Sequence, residues 1–391
     1  MRAIFWIAAL FVAYTYAGYP LWLFLRRRQR PRNPSPRPTS SRDAAFPLVS
    51  IVIAAHNEAG TLPRKLRNLA ELDYPAERCE VIVVSDGSTD GTEQWMQEHR
   101  HDRLHFYSLP QHAGKAIALN RAIEAARGEI VIFTDARQII QRDAVQYLVT
   151  NFVDPDVGCV SGELILGDAA AVAAGKGLGL YWRLEKKIRE WEAASGSVVG
   201  ATGALYAVRR GLLVPVPPGT LLDDVYLPLH VVRQGKRVLF EPRARAYDSV
   251  ANPEREFRRK VRTLTGNYQL LRLAPWVVTQ SNAVRFRFIS HKLFRLGVPF
   301  ALLALLVASA ALRSPFYETA LLAQVVFYGL GLLALWRRRL GFLARWGDMS
   351  LAFVLMNSAA AVALFWFLIG KKEIWARSEK APAILNQAHD V

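Results

Sequence analysis

Two cysteines, Cys79 and Cys159, stand in 391 residues. They leave no disulfide framework, and both fall in a stretch read below as cytoplasmic, which argues against their pairing. Acid is short as well: 33 Asp and Glu face 50 Lys and Arg, a net charge of +17. Such an excess first suggests a nucleic-acid binder, but its distribution excludes that reading. Seven arginines lie in Arg26–Arg42 and ten basic residues between Arg255 and Arg295, each group beside a long apolar run. The phosphate-loop spacing GxxxxGK[ST] is missing too, since HAGK (112–115) supplies only its GK. No internal repeat is visible.

Long apolar runs are present. Ala3 to Leu25 is uncharged and long enough to cross ~30 Å of hydrocarbon as a helix. Thr15-Tyr16-Ala17 is a weak signal-peptide cleavage site, but the run continues through YPLWLFL and meets RRRQR, the pattern of a retained anchor. Comparable runs are Leu296–Leu312, Thr319–Trp336 and Met349–Gly370. Positive charge beside membrane spans marks the cytoplasmic side. The expected layout is therefore an anchor (1–25), a basic Pro-rich linker (26–46), a folded cytoplasmic domain (47–250), interface helices (251–290) and about three further spans (291–391). Residues 26 to 290 are expected on the cytoplasmic side of the inner membrane and RSPFYE outside. Arg337–Arg339 mark another inside loop, while the mildly basic GKKEIWARSEK leaves the side of the C-terminus open.

From Pro47, VSIVIAA, EVIVVSD and EIVIFTD are near-continuous apolar runs ending in polar or acidic residues. Helix-compatible segments, Ala59–Glu71, Thr89–His99 and Ala113–Ala126, separate them. This alternation predicts a parallel α/β sheet covered on both faces, with ligands beyond the C-terminal strand ends. His56, Asn57, Glu58, Asp86 and Asp135 sit at those ends. CVSGELIL, GALYAVR and RVLFEP complete the domain. In 255–272 a helix would gather Phe257, Val261, Leu264, Tyr268 and Leu271 within about 80°, a stripe suited to the lipid boundary. Arg255, Arg259, Arg262 and Gly266 would face the domain.

Taken singly, the polar motifs each have an ordinary structural explanation. SDGSTDGT (85–92) reads as a capped turn with Gly87 at the bend, and Lys115 as a solvated charge. GATGALYAVRR (200–210) suits close packing of two strands. In LLDDVYL (221–227) one aspartate can cap a helix, while its neighbour acquires a raised pKa that suits a general base. EFRRKVRTLTGN (256–267) suits a membrane surface.

As an ordered set, NE, SDGSTDGT, GK…ALN, TDA, GATG…RR, DD and RKVR resemble the membrane-bound family 2 glycosyltransferases, the group of cellulose, hyaluronan and poly-N-acetylglucosamine synthases. The likeness runs from about Leu48 to Gly266. It implies a GT-A fold, the nucleotide-diphospho-sugar transferase type of α/β domain, flanked by transmembrane helices. It also implies a nucleotide-sugar donor, UDP-linked in the first expectation, and a divalent cation, magnesium or manganese. Carried over by position, Ala54, His56 and Glu58 lie in the turn around the nucleoside and Asp86 holds the base. Lys115 lies on the diphosphate side, and Asp135 is the first acid of an Asp-x-Asp metal pair. Gly203 belongs to the acceptor wall. Asp224 is the catalytic base with Asp223 beside it, and Arg259 and Arg262 fall in the Gln-x-x-Arg-Trp segment.

Three departures stand out. Arg137 replaces the second acid of the metal pair, Arg259 replaces the Gln, and Thr263 replaces the Trp. A divalent ion 4 Å from a guanidinium would meet roughly 8 kcal/mol of repulsion at an effective dielectric of 20. Either Arg137 turns to another acid and Asp135 keeps the metal, or Arg137 and Arg262 bind the diphosphate themselves. With only four spans, the expectation is an inverting transferase adding one or a few sugars, β-linked, to a lipid or glycan hydroxyl. A processive polysaccharide synthase and a non-catalytic sugar-nucleotide-binding membrane protein are the alternatives, and an export partner is left open.

Overall fold

The computed structural model describes residues 1–27, 46–100, 102–167, 176–249, 253–334 and 344–370. Most of the basic linker, Arg337–Arg339 and all of GKKEIWARSEK but its first glycine lie outside them. Strands β1 (Val49–Ala55), β2 (Cys79–Asp86), β3 (Leu104–Leu109) and β4 (Ile130–Phe133) pair in parallel in the order β3-β2-β1-β4. The sheet continues through β7 (Tyr206–Arg209), β6 (Val157–Leu166), β8 (Arg237–Asp248) and β5 (Ile139–Ile140).

Both faces are covered, as continuous apolar strands require. Val49, Ile51 and Ile53 point to one layer with Leu62 of helix α1 (Leu62–Ala70), Met96 of α2 (Thr92–Glu98) and Leu148 of α4 (Ala144–Thr150). Val52, Val131 and Phe133 point to the other, against Leu119 of α3 (Lys115–Ala125) and Leu229 of α6 (Asp223–Arg233).

The sheet is not all parallel. β7 runs antiparallel to both β4 and β6. Its register sets Tyr206 opposite Phe133, so the GATG loop before it arrives at the C-terminal tips of the parallel strands. A parallel β7 would have carried that loop to the opposite edge. The long helix α5 (Lys176–Ala194) and the strands β3 and β5 have no counterpart in the sequence reading. β3 is an edge strand with half-exposed polar positions, LHFYSL, and lacks the continuous apolar run that marks its neighbours.

Four helices are long and apolar enough to cross a membrane: Arg2–Arg26, Arg285–Ala311, Pro315–Leu333 and Trp346–Leu368. This is a membrane protein. Between domain and spans lies α7 (Pro253–Leu273), and here the lipid-boundary expectation is corrected. Phe257, Val261, Leu264 and Tyr268 pack on Ala359, Val362, Ala363 and Trp366 of the last span, and Tyr268 stacks on Phe367 at 5.6 Å. Alanines four residues apart, 359 and 363, clear a groove on that helix into which the stripe fits. The opposite face does meet the domain. A Cβ on Gly266 would lie 2.5 Å from Leu222 Cγ, and Leu270 joins the core beneath the sheet.

Candidate active site

Asp86 ends β2 and is almost fully buried. Its carboxylate accepts hydrogen bonds from the backbone N–H groups of Ala113 (2.7 Å) and Gly114 (2.9 Å), and His112 Nδ1 lies 2.9 Å from it. His56 Nδ1 lies 2.7 Å from the Asp86 carbonyl oxygen, with the two imidazoles 4.2 Å apart. Gly87 makes this turn at φ +61, and a Cβ there would sit 2.3 Å from the His112 nitrogen. Only glycine fits. The turn around Asn57 is equally fixed: its backbone N–H donates to Ser88 Oγ at 3.1 Å, its side-chain oxygen accepts from Thr89 N–H at 2.7 Å, and Glu58 N–H donates to Thr92 Oγ1 at 3.0 Å. The result is a shallow polar slot at the strand tips, with Ala54 half-buried behind it.

The next group centres on a lysine. Lys115 Nζ lies 2.9 Å from Asp135 Oδ1 and 3.6 Å from Asp223 Oδ1, so one ammonium joins the tips of β4 and α6. Burial pulls that ammonium down, but Asp135 and Asp223 outweigh it and hold it above its ordinary value. Burial pushes the Asp135 carboxyl up, yet Lys115, Arg137 and Arg262 together hold it below the usual range. Arg262 of α7 thus reaches the site electrostatically. Arg259 pairs with Glu256 of its own helix at 2.9 Å.

Arg137 turns away. Its Nε lies 3.1 Å from Asp248 Oδ2 at the end of β8, and Gln138 Nε2 donates to the same oxygen at 2.9 Å. Asp248 was not legible as a site residue, because nothing in AYDS announces that a loop 110 residues earlier would dock there. Lys65 was missed for a similar reason. It sits in a helix of ordinary basic composition, yet it is fully buried and donates to Thr134 Oγ1 (2.9 Å) and the Gln138 carbonyl (2.8 Å). Burial lowers its pKa to about 7 against the pull of Asp135. It braces the loop that carries Asp135 from below.

Asp223 and Asp224 open α6, where the helix N-terminus favours negative charge. Asp223 is buried and accepts a hydrogen bond from the Tyr206 hydroxyl at 3.3 Å, while Tyr206 stacks on Phe133 at 4.5 Å. Asp224 is half-buried and open to the cleft. Burial and the charge of Asp223 push its carboxyl up to about 6, against the opposing charge of Lys115. The GATG loop is tied to it twice: Ala201 N–H donates to the Asp224 carbonyl (2.7 Å) and Gly203 N–H to its Oδ2 (2.9 Å). A Cβ on Gly203 would stand 3.2 Å from that oxygen. Gly203→Ala is expected to displace the carboxylate by a few tenths of an ångström and lower kcat roughly tenfold. Nucleotide affinity should be unchanged, which kinetics paired with UDP titration would check.

Two arrangements deserve comparison as cation sites. His56, Asp86 and His112 offer ligand atoms within 4.8 Å of one another, but the Asp86 oxygens already take two backbone N–H groups and His112. Asp135 has one oxygen on Lys115, its side chain is 36% exposed, and Arg137 makes its ion pair with Asp248 instead. The second carboxylate oxygen therefore fits a divalent ion shared with a ligand's own oxygens.

A polar slot beside Asp86, a lysine held between Asp135 and Asp223, and a carboxylate of raised pKa at Asp224 thus lie together at the tips of a GT-A sheet. The family model "Glycosyl transferase family 2" matches residues 50–213, the part of the chain that carries β1 to β7. The poly-beta-1,6-N-acetyl-D-glucosamine synthase of Staphylococcus aureus (strain MSSA476) is 26% identical over 231 residues, 57% of this chain and 55% of that protein. The probable glycosyltransferase YdaM of Bacillus subtilis (strain 168) is 28% identical over 214 residues, 51% of this chain and 50% of its own. The chain thus spans about half the length of the curated relatives it matches. Among solved structures, the mannosyltransferase PcManGT of Pyrobaculum calidifontis, in complex with GDP-Man and Mn2+, superposes with a TM-score of 0.70 at 26% identity, covering 94% of this chain and 99% of that one.

Proposed function

We propose that the protein moves a sugar from a nucleotide-diphosphate donor to a hydroxyl presented at the membrane, with inversion at the anomeric carbon. The observation that carries this reading is Asp224: a half-buried carboxylate with a raised pKa, fixed by the GATG loop and separated from the nucleoside slot by the Lys115 ammonium. Asp224 takes the proton of the attacking hydroxyl. The new bond to the anomeric carbon forms as the bond to the diphosphate oxygen breaks, and the nucleoside diphosphate leaves with the electron pair. An α-linked donor gives a β-linked product.

The leaving diphosphate gathers negative charge, which Lys115 and Arg262 are placed to oppose. A divalent ion on the second oxygen of Asp135 would add Lewis-acid stabilisation of the same charge. The nucleoside rests between the Asn57 turn and Asp86. Addition to a membrane lipid is favoured by the small number of candidate spans, four among the described residues. A polysaccharide synthase is favoured instead by the similarity to the poly-β-1,6-N-acetylglucosamine synthase.

Nucleotide release by the detergent-purified protein tests the reading. UDP-glucose, UDP-N-acetylglucosamine and GDP-mannose would be offered with bacterial lipid extract, in manganese or in EDTA, and product size read by mass spectrometry. Release that EDTA abolishes, and that Asp135→Asn makes insensitive to manganese, is the expected result. Release untouched by EDTA would remove the metal from Asp135. No release from any donor would favour a binding-only protein.

A further inference from the structure

A second charged cluster lies where α5, α7 and the span Arg285–Ala311 meet. Glu185 of α5 accepts from Arg295 at 2.7 Å and lies 3.0 Å from His291. Glu192, two turns further along the same face of α5, lies 2.8 Å from the other ring nitrogen of His291 and accepts from the Tyr19 hydroxyl at 2.6 Å. Glu256 of α7 is taken by Arg259 and, at 4.0 Å, by Lys260. Glu185 and Glu256 are taken up in these ion pairs, and Glu192 is engaged through Oε1 alone, its Oε2 having no hydrogen-bond partner. Lys292 and Arg189 enter the same cluster, and among the described residues neither has a carboxylate within ion-pair distance. Both are half-buried, and both charges are felt at the Asp224 carboxylate.

The backbone singles out the same place. Residues Ile289–Leu293 form a π turn inside the span, which sets His291 and Lys292 off the regular helical stripe. The first span has a π turn of its own at Tyr14–Gly18, and the Tyr14 hydroxyl lies 2.8 Å from Ser290 Oγ. Two facing π turns at one level sacrifice good hydrogen-bond geometry, and such turns concentrate at functional sites.

Lys292 feels Glu185 and Glu192 only at a distance, and half-buried cations with no carboxylate at ion-pair distance are costly unless an anion joins them. The cluster opens where an apolar span begins, and it neighbours the general base. We infer that Lys292 and Arg189 hold the phosphate of an anionic lipid headgroup and so bring that lipid's hydroxyl to Asp224. This deepens the transferase reading above and rests on it. It also accounts for a basic cluster on the acceptor side, where a neutral glycan would need none.

Binding separates this inference from the reaction. The full-length protein in phosphatidylcholine nanodiscs would be offered phosphatidylglycerol or diacylglycerol, and retained lipid counted by native mass spectrometry. The wild type is expected to retain phosphatidylglycerol in preference by roughly tenfold or more, the scale of charge-assisted hydrogen bonds to a phosphate. Arg189→Gln/Lys292→Gln should lose that preference while keeping UDP affinity and melting temperature. Lys187→Gln, an exposed residue paired with Glu190, should keep it. Equal retention of the two lipids, or an unchanged preference in the double variant, overturns the inference. So does glycerol 3-phosphate competing as well as the lipid, which would assign the cations to a soluble phosphate. Lipid preference without nucleotide release from any donor would instead sink the transferase reading alone.

Discussion

Asp224→Asn is expected to slow sugar transfer by about 10²–10⁴-fold, the range of a positioned general base, and to leave nucleotide binding unchanged. The amide keeps the shape of the carboxylate and can still accept from Gly203 N–H, so folding should survive. The pH dependence is the sharper part. The base must be ionised to act, and burial together with Asp223 raises its pKa to about 6. Activity should therefore be full above that value and fall roughly tenfold per pH unit below it. Asp223→Asn removes the neighbouring negative charge and should move this acid limb to lower pH. A limb that stays in place in the Asp223 variant, or turnover by Asp224→Asn equal to wild type, would remove Asp224 from the role.

Lys115→Met should have a comparably large effect by a different route. Lys115 is the cation between Asp135 and Asp223, and removing it leaves one partly exposed and one buried carboxylate without this counter-charge. Breaking a buried pair costs about 3–5 kcal/mol. Asp135 is partly exposed and screened by solvent, so the lower end, about 3 kcal/mol, is expected. The sign follows from linkage: Lys115 helps hold the folded Asp135 carboxyl below its ordinary range, so the stability it contributes is present near neutral pH and is lost as pH falls through that folded value. Thermal melts of wild type and variant should therefore converge as the pH is lowered into the acid range. Donor affinity should fall as well, since the proposed reading sets this ammonium against the diphosphate. Methionine keeps the length and apolar stem, so lost packing would not explain a loss that acid repairs.

Much of this site was legible in the sequence, for a definite reason. Asp86 and Asp135 end runs of apolar residues, and in a parallel sheet a strand's last residue is also a residue of the ligand cleft. The paired acids of LLDDVYL could be read as a base because two adjacent carboxylates perturb one another wherever they lie. The partner of Arg137 could not be read. Electrostatics requires that the guanidinium avoid a metal, but the choice of Asp248 depends on β8 passing beside the TDARQ loop. Lys65 is similar, since its burial follows from the fit of one helix against one strand tip. The stripe on α7 shows how periodicity can identify an apolar face without identifying what covers it. Phe257, Val261, Leu264 and Tyr268 meet a protein helix, and lipid or alanine would have written the same pattern. The direction of β7 was hidden likewise, because a four-residue apolar strand reads the same in either sense.

The packing of α7 on the last span also decides where the polypeptide can be cut. A catalytic fragment ending after residue 273 would keep the arginine helix but strip away Ala359, Ala363 and Trp366, baring an aromatic stripe to water as an adhesive surface. One ending before residue 253 would be cleaner to handle, but it would lose Arg262 and the helix that closes over Leu222. Solubility and a complete cleft therefore exclude one another in any single truncation, and membrane extraction of the whole chain is the practical route to active material.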